Sequence, residues 1–379
     1  MNIPIYFDNA ATTYPKPDYI VQNMLRFYQK FGVNSGRGSY HLAREANSMI
    51  DNTRIAVAKL LNTKMDKVKF SASATIALNQ IIGGLNLKEN DTIYITPFEH
   101  NAVARPLEYY RKKIGFQVEM IPYNKEFELD KDKLEYQFSR RKPTHIIMTH
   151  ISNVTGYIVE IEEIINIARD FSPIIIVDGA QSVGLIPIDL SKLDVDYLVF
   201  AGHKTLYGPF GIAGFISNSK QVLKPVIFGG SGSDSLNIDP QYGEMEVGSP
   251  NILSIAGLFY ALKWLNKEGV ENIYKKEKEL TNYAVDLLQQ NNKLKLYLPI
   301  DLERHVGIIS LNHKDYSVND LGQILDEEFN VSVRTGYHCA PYIHKMLGTE
   351  VSGTVRISFG SANVYEEITI FKEYLDLNI

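Results

Sequence analysis

The sequence has a single cysteine, Cys339, in 379 residues. One cysteine excludes an internal disulfide and fits a reducing compartment. Long runs of one charge sign are also lacking. With 39 basic and 44 acidic residues the net charge is −5, so nothing draws the chain to nucleic acid or to an anionic membrane. No apolar run approaches membrane length, and the first residues have neither the basic nor the apolar region of a signal peptide. We therefore predict a cytoplasmic protein that acts on small molecules.

The apolar residues that are present follow two periodicities. Residues 42–61 place apolar side chains at helical spacing, which predicts an amphipathic helix. Short apolar runs, mostly separated by helical segments, then follow at 69–72, 92–96, 116–121, 145–149, 174–177, 197–200 and 212–216. This alternation predicts an α/β fold with a mainly parallel, seven-stranded sheet wrapped by helices. In such sheets ligands bind beyond the carboxyl ends of the strands, and the polar clusters of this chain follow those runs.

The pattern changes again after residue 250. A long helical stretch leads to Leu287, and strands are predicted at 307–311, 331–334 and 354–359. This part reads as a smaller C-terminal α+β domain. We predict a large domain formed by residues 16–250 and a small domain formed by residues 1–15 and 251–379.

Two strand ends present an acid and a lysine. The run at 174–177 is followed by Asp178, and the run at 197–200 leads to Lys204. Pyridoxal 5′-phosphate needs a lysine amine for its aldehyde and a carboxylate that keeps its pyridine nitrogen protonated. Either residue alone is more often a turn residue or a solvated lysine, but the pair favours a cofactor site. A phosphate loop around 202–205 is a weak alternative, because its glycine spacing is absent.

Seven ordered motifs carry a resemblance to a known family. They are YFDNAATT (6–13), FEHN (98–101), HISNVTG (150–156), VDGAQS (177–182), GHK (202–204), RTGYHCA (334–340) and TVRISFG (354–360). Together they resemble the class V aminotransferase-like pyridoxal phosphate enzymes of fold type I. Within these, the sequence is similar to the group II cysteine desulfurases and selenocysteine lyases. The resemblance covers nearly the whole chain.

The resemblance assigns roles around the cofactor ring. It implies that Lys204 carries the cofactor as a Schiff base and that His100 stacks on the ring. Asp178 would pair with the pyridine nitrogen, and Gln181 would bond the ring hydroxyl oxygen. An imidazole offers a flat face, and an uncharged amide bonds the oxygen without adding a second full charge.

The resemblance also places the cofactor's phosphate. Ala74 and Thr75 would lie where a helix opens, because free N–H groups and the helix dipole favour an anion there. His203 would add a side-chain donor, and Ser249 would reach the phosphate of a neighbouring subunit in a homodimer. Relatives often carry a hydroxyl residue at the position of Ala74 and a serine at that of Ala201, so fewer phosphate contacts are expected here. A simple helix cap explains Thr75 equally well.

A second group of residues is expected to hold the substrate. Arg356 lies inside an apolar run, where an isolated charge is costly unless it is paired or faces a cleft. The resemblance implies that it grips the substrate carboxylate, whose geometry a guanidinium matches. A structural salt bridge is the competing interpretation. Asn153 would bond the substrate carboxylate or the cofactor, and Arg334 would contact substrate or brace its loop.

Cys339 matches the position of the desulfurase thiol. Its basic neighbours suit a reactive thiol, whereas a lone cysteine without such a motif is usually buried and inert. The implied reaction uses Lys204 as general base on L-cysteine, while Cys339 attacks the sulfur and keeps it as a persulfide. A sulfur-acceptor protein would then collect it, for uses such as iron–sulfur cluster assembly.

Five alternatives stay open. A selenocysteine lyase or another cysteine C–S lyase would share the cofactor residues, and a plain aminotransferase would have no use for the thiol. A silent scaffold or a nucleotide-binding module belongs to a different class, and the chain has no dinucleotide-binding glycine motif after an early strand. His338 and His344 beside Cys339 make an unconvincing metal site, so no metal is predicted.

Overall fold

The computed structural model describes residues 4–35, 38–230, 238–239 and 244–377. Its helices are α1 Asp18–Phe31, α2 His41–Leu60, α3 Ala74–Gly84, α4 Asn101–Ile114, α5 Lys131–Arg140, α6 Ile161–Ala168, α7 Ile252–Glu268, α8 Val270–Leu288, α9 Val318–Glu327, α10 Ile343–Leu347 and α11 Tyr365–Asp376. Its strands are β1 Ile5–Tyr6, β2 Val68–Ser71, β3 Thr92–Ile95, β4 Gln117–Met120, β5 His145–Thr149, β6 Ile174–Asp178, β7 Tyr197–Ala201, β8 Ala213–Ser217, β9 Leu294–Tyr297, β10 Ile308–His313, β11 Val331–Ser332, β12 Arg334–Gly336 and β13 Thr354–Ser358. No helix in this part of the chain is long and apolar enough to cross a membrane.

The large sheet has seven strands in the order β2-β8-β7-β6-β5-β3-β4. The five strands from β7 to β4 are parallel, and β8 runs antiparallel to both of its neighbours. Each of the seven predicted runs forms one of these strands, so the predicted fold class is confirmed. Strands β5 and β7 are buried along their whole length, as expected for a sheet covered on both faces.

Helices cover both faces of this sheet. Alternate residues of each strand point to opposite faces, and the two sets join two apolar clusters. Ile147 and Ile176 pack with α3 and α4 on one face. Met148 and Val177 pack with α2, α5, α6 and α7 on the other.

A second, antiparallel sheet has the order β12-β13-β10-β9 and packs against α8, α9 and α11. The prediction of a single strand at 331–334 is wrong, because this stretch contributes to two short strands. β11 pairs in parallel with β1, whereas β12 pairs with β13. The helical pattern after residue 250 is likewise two helices, separated by Gly269 with a φ of 84°. Strand β9 was not predicted.

The first residues described pair with the C-terminal part of the chain, and β1 with β11 forms a separate two-stranded sheet. β1 pairs with β11, and Asp8 forms a bridge to Ser358 at the end of β13. Helix α7, which lies after residue 250, shares an apolar cluster with α1 and α2. The division into residues 16–250 and residues 1–15 with 251–379 stays a prediction.

Candidate active site

A cavity of about 230 Å³ lies at the carboxyl ends of β6 and β7. Every predicted site residue except Ser249 lines it, namely Ala74, Thr75, His100, Asn153, Asp178, Gln181, His203, Lys204, Arg334, Cys339 and Arg356. These residues come from both sheets, from the first turn of α3 and from the loops that follow β3, β5, β6, β7 and β12. The fold therefore brings together groups that are spread over most of the sequence.

Asp178 and Lys204 enter this cavity from neighbouring strands. Asp178 is the last residue of β6, and Lys204 follows the end of β7 by three residues. Burial lowers the pKa of Lys204 to about 8, because an ammonium ion loses its hydration there, although the Asp178 carboxylate opposes the shift. Near physiological pH the neutral fraction of Lys204 is thus far larger than that of an ordinary lysine, although the ammonium form still predominates.

The Asp178 carboxyl is buried and held by backbone. Its Oδ1 accepts a hydrogen bond of 3.0 Å from the Ala180 N–H. Burial raises the pKa of Asp178, while the Ala180 N–H and the charge of Lys204 act in the opposite direction. A cation placed beside this carboxyl would hold it ionised.

His100 caps helix α4 and keeps a defined tautomer. The Ala102 N–H donates to His100 Nδ1 over 3.0 Å, so the proton of the neutral ring lies on Nε2. Burial, followed by the charge of Lys204, lowers the pKa of His100 to about 4. The ring is therefore uncharged at neutral pH.

The first turn of α3 provides an anion site in the same cavity. The first N–H groups of a helix have no partner within the helix. The Ser73 side chain accepts from the Ile76 N–H, which leaves those of Ala74 and Thr75 for an anion. A helix was predicted to begin near Ile76; it begins two residues earlier, at Ala74, because Ser73 is its N-cap.

His203 lies beside this anion site, and its ring nitrogen Nδ1 is available to a ligand. Its ring stacks on Phe210, with the centroids 4.6 Å apart. Burial lowers the pKa of His203 to about 4. In the described part of the chain its buried Nδ1 has no hydrogen-bond partner. A buried nitrogen of this kind fits a ligand that supplies the missing partner.

These residues fit pyridoxal phosphate. A buried carboxyl, a lysine with a lowered pKa, an open helix N-terminus and the unpartnered nitrogen of His203 match the nitrogen, aldehyde and phosphate groups of that cofactor. Gln181 is fixed by a hydrogen bond of 2.8 Å from its Nε2 to the Ala10 carbonyl oxygen.

Arg356 is buried and already has two protein partners. Its Nη2 lies 2.7 Å from Asp8 Oδ1, and its Nη1 donates to the Asn153 carbonyl oxygen over 2.8 Å. Arg334 Nη1 lies 3.6 Å from the other oxygen of Asp8. The salt bridge considered as an alternative for Arg356 is therefore present. A guanidinium has five N–H donors, so donors remain for a substrate carboxylate, including an Nε without a partner among the described residues.

Cys339 is exposed on a turn at the rim of the cavity. His338 and Cys339 both adopt positive φ angles, 48° and 58°. The loop is bonded on both residues, since Asn101 N–H donates to the Cys339 carbonyl oxygen and Asn153 Nδ2 donates to that of His338, each over 2.6 Å. Left-handed backbone is costly outside glycine, and these bonds help to hold it.

His338 in this loop and His344 in α10 bond to protein groups. His338 Nε2 contacts Thr354, and His344 Nδ1 contacts Thr349, both at 2.8 Å. Over the described residues no group of three or more histidine, cysteine, aspartate or glutamate side chains could hold a metal ion.

Sequence reasoning missed three residues near the cavity. Asp8 lies in the first motif without an assigned role, yet it holds Arg356. Glu99 is fully buried, and burial raises its pKa to about 8. Lys16 donates to the His203 carbonyl oxygen over 3.1 Å, and burial lowers its pKa to about 8. Asp8 and Glu99 come soon after strands β1 and β3, which was an available signal, whereas Lys16 lies in the segment before α1 and had no such signal.

Ser249 lies elsewhere. It lines a separate cavity of about 1060 Å³, where Asn34 Nδ2 donates to its hydroxyl over 3.3 Å. Within one chain it does not reach the cavity that contains Lys204, and its predicted role toward a neighbouring subunit stays a prediction.

Comparisons with known proteins agree on one family. The class-V aminotransferase model matches residues 5–371. A "Probable cysteine desulfurase" from Pyrococcus abyssi is 33% identical over 98% of this chain and 93% of its own length. The apo structure of a cysteine desulfurase from Thermococcus onnurineus is 31% identical, with a TM-score of 0.91 over 98% of this chain and 94% of that one. A cysteine desulfurase structure from Escherichia coli is 26% identical, with a TM-score of 0.87 over 98% and 94% of the two chains.

The match covers almost the full length of both the sequence and the fold, and it includes each strand that ends at the cavity. The chain therefore belongs to the class-V aminotransferase family of pyridoxal phosphate-dependent enzymes, within its cysteine desulfurase group.

Proposed function

We propose that this protein is a cysteine desulfurase that uses pyridoxal phosphate bound through Lys204. It converts L-cysteine to L-alanine and retains the sulfur as a persulfide on Cys339. One observation carries this proposal: the chain's single cysteine is exposed on the rim of the cavity that also contains Asp178 and Lys204. An aminotransferase needs the lysine and the acid, but it has no use for a thiol at that place.

The cofactor would be held at three points of the chain. Lys204 would bind its aldehyde carbon, Asp178 would face its pyridine nitrogen, and the first N–H groups of α3 with His203 would hold its phosphate. When bound, pyridoxal phosphate supplies an electron sink for the carbanion formed at the substrate Cα. The neutral ring of His100 provides a flat surface against the cofactor without adding a charge.

The chain's own residues carry the remaining steps. Arg356 would hold the substrate carboxylate with its free N–H donors, and Asn153 is tied to the same place by its carbonyl oxygen. Lys204 Nζ, with its pKa near 8, takes the Cα proton as general base. The Cys339 thiolate attacks the substrate sulfur, the C–S bond breaks, and the sulfur stays on Cys339 while alanine leaves.

Two variants separate cofactor binding from sulfur chemistry. Lys204→Ala should lose turnover and the cofactor linkage that borohydride reduces; covalent labelling elsewhere on the chain would refute the assignment. Cys339→Ser keeps nearly the same volume but replaces the thiol with a hydroxyl that stays protonated near neutrality. It should still change colour on addition of L-cysteine, while alanine formation collapses and no alkylating probe traps a persulfide.

The same assay separates the competing reactions. Sulfide with alanine indicates a desulfurase, selenide with alanine a selenocysteine lyase, and pyruvate another C–S lyase. Selenium leaves more readily than sulfur, so Cys339→Ser should retain more activity toward selenocysteine than toward cysteine. Full activity of this variant on L-cysteine would make the thiol a bystander.

We also propose a homodimer whose two sites share residues. Ser249 is exposed in the single chain and lies outside the cavity that contains Lys204. A hydroxyl supplied by the partner subunit could complete a phosphate site that lacks side-chain hydroxyls at Ala74 and Ala201. A fully active monomer at working dilution would rule this out.

A further inference from the structure

A second concave surface adjoins the loop that carries Cys339. It is a groove of about 550 Å³ between β4 and α10. Met120 and Tyr123 line one side, and Tyr342 and Met346 line the other. Met120 is 36% exposed, although it is apolar and lies on an edge strand of the large sheet. Methionine and aromatic side chains of this kind are common at surfaces that bind other proteins.

The groove and the thiol are held at a short, fixed separation. Pro341 lines the groove and follows Cys339 by two residues, a separation that the backbone spans in at most about 7 Å. The backbone bond from Asn101 N–H to Cys339 fixes one end of this stretch, and α10 begins at Ile343 on the other. A molecule bound in the groove therefore lies close to the loop that carries Cys339.

The two charged residues that line the groove are both lysines. Lys133 and Lys345 line it and are exposed, and among the described residues neither ammonium group has a salt-bridge partner. Glu119 and Glu108 pair with Arg141 and Arg111, whereas Asp130 accepts a hydrogen bond from the Lys133 backbone N–H at the start of α5. The two charged side chains that line the groove are thus both basic, in a chain whose net charge is −5.

Resting on the proposed function, we infer that this groove is the docking surface for the sulfur acceptor. The acceptor is a protein segment that carries a thiol, an apolar anchor for the groove and acidic residues that face Lys133 and Lys345. Its thiolate attacks the outer sulfur of the Cys339 persulfide, the S–S bond breaks, and Cys339 leaves as a thiolate. The acceptor then carries the persulfide, and no oxidant or reductant is consumed.

The test uses two synthetic peptides of equal length as acceptors. Each has one central cysteine and a nearby leucine, flanked by two aspartates in one peptide and by two lysines in the other. The holoenzyme is loaded with sulfur from L-cysteine, excess substrate is removed, and transfer to each peptide is followed by mass spectrometry. The acidic peptide should react about fivefold faster than the basic one, as expected for two exposed ion pairs. Replacing its leucine with serine should slow it.

The double variant Lys133→Glu, Lys345→Glu should reverse this preference. Its alanine formation with dithiothreitol as a small neutral acceptor should match the unmodified protein, because that thiol needs no docking surface. Lys64→Glu with Lys267→Glu, two exposed lysines outside the groove, is the matched control and should keep the original preference. Equal rates for the two peptides, or an unchanged preference in the groove variant, would overturn the inference. Failure of the proposed function is seen earlier, as no persulfide before any peptide is added.

Discussion

Asp8 Oδ1 lies 2.7 Å from Arg356 Nη2, although 348 positions separate the two residues in sequence. The guanidinium is only 2% exposed, so Asp8 supplies the charge that lets Arg356 remain buried. Asp8→Ala leaves a buried cation without its partner. We expect the free energy of unfolding to fall by about 3 kcal/mol, measured by urea denaturation of the cofactor-free protein.

The matched control is Glu108→Ala, which breaks the exposed pair with Arg111 at the same distance of 2.7 Å. Exposed pairs contribute little to stability, so this variant should unfold at nearly the same urea concentration as the unmodified protein. An Asp8→Ala protein as stable as this control would contradict the structural role of Asp8.

The pH dependence of cofactor uptake reports on Lys204. Only the neutral amine attacks an aldehyde, and burial lowers the pKa of Lys204 from 10.5 to about 8. The rate at which cofactor-free protein takes up pyridoxal phosphate should therefore rise with pH, reach half its maximum near pH 8 and level off above that. Stopped-flow absorbance measures it. A rate that still climbs toward pH 10 would show an ordinary lysine, and Lys204→Ala gives the background.

Glu99 should make stability depend on pH in a defined direction. Burial raises its pKa from 4.5 to about 8, so between these values the folded protein holds a proton that the unfolded chain has released. Its contribution to stability is present below pH 4.5 and is lost as pH rises to about 8.

Glu99→Gln is neutral at every pH and should remove that loss. The free energy of unfolding of the unmodified protein, minus that of Glu99→Gln, should fall between pH 5 and 8. Glu277, another buried carboxyl whose pKa is raised to about 8, is present in both proteins and cancels in the difference. A difference that stays flat across this range would mean that Glu99 is ionised throughout.

Mixed dimers test whether the sites are shared. Lys204→Ala and Ser249→Ala chains should each be impaired alone, the first in turnover and the second in cofactor retention. In a dimer with one chain of each kind, one site combines an intact Lys204 with an intact Ser249. Each mixed dimer should therefore have about half the activity of the unmodified dimer. Because random exchange of equal amounts makes about half of the dimers mixed, the mixture should recover about a quarter of full activity. No gain on mixing would place Ser249 outside the neighbouring site.

The large sheet could be predicted because its strands carry their own signal. β5 and β7 are buried on both faces, so each is a continuous apolar run that local sequence reveals. The split at 331–334 could not be predicted, because it depends on partners at residues 5–6 and 354–358. Strand β9 is mostly half-exposed and gives a weak apolar pattern.

The site residues that could be predicted from the sequence are likewise those with a local signal. Asp178 and Lys204 lie where predicted strands end, so the topology of a parallel sheet brings them together. Asp8 also follows a strand, but its role depends on a guanidinium near the other end of the chain. Glu99 precedes His100 in the FEHN motif. Its burial is seen only in the structure, where the Thr149 N–H at the end of β5 donates to Glu99 Oε1 over 2.8 Å.

The bonds from Asn101 and Asn153 to the Cys339 loop have an entropic consequence. Two contacts of 2.6 Å fix consecutive residues of that loop, so the sulfur carrier is stationary. A flexible loop would lose conformational entropy each time it bound an acceptor. In this protein the loop has already lost that entropy on folding. In the proposed transfer, the acceptor segment would then be the mobile partner, and stiffening that segment in its bound shape should speed delivery more than any loosening of the loop.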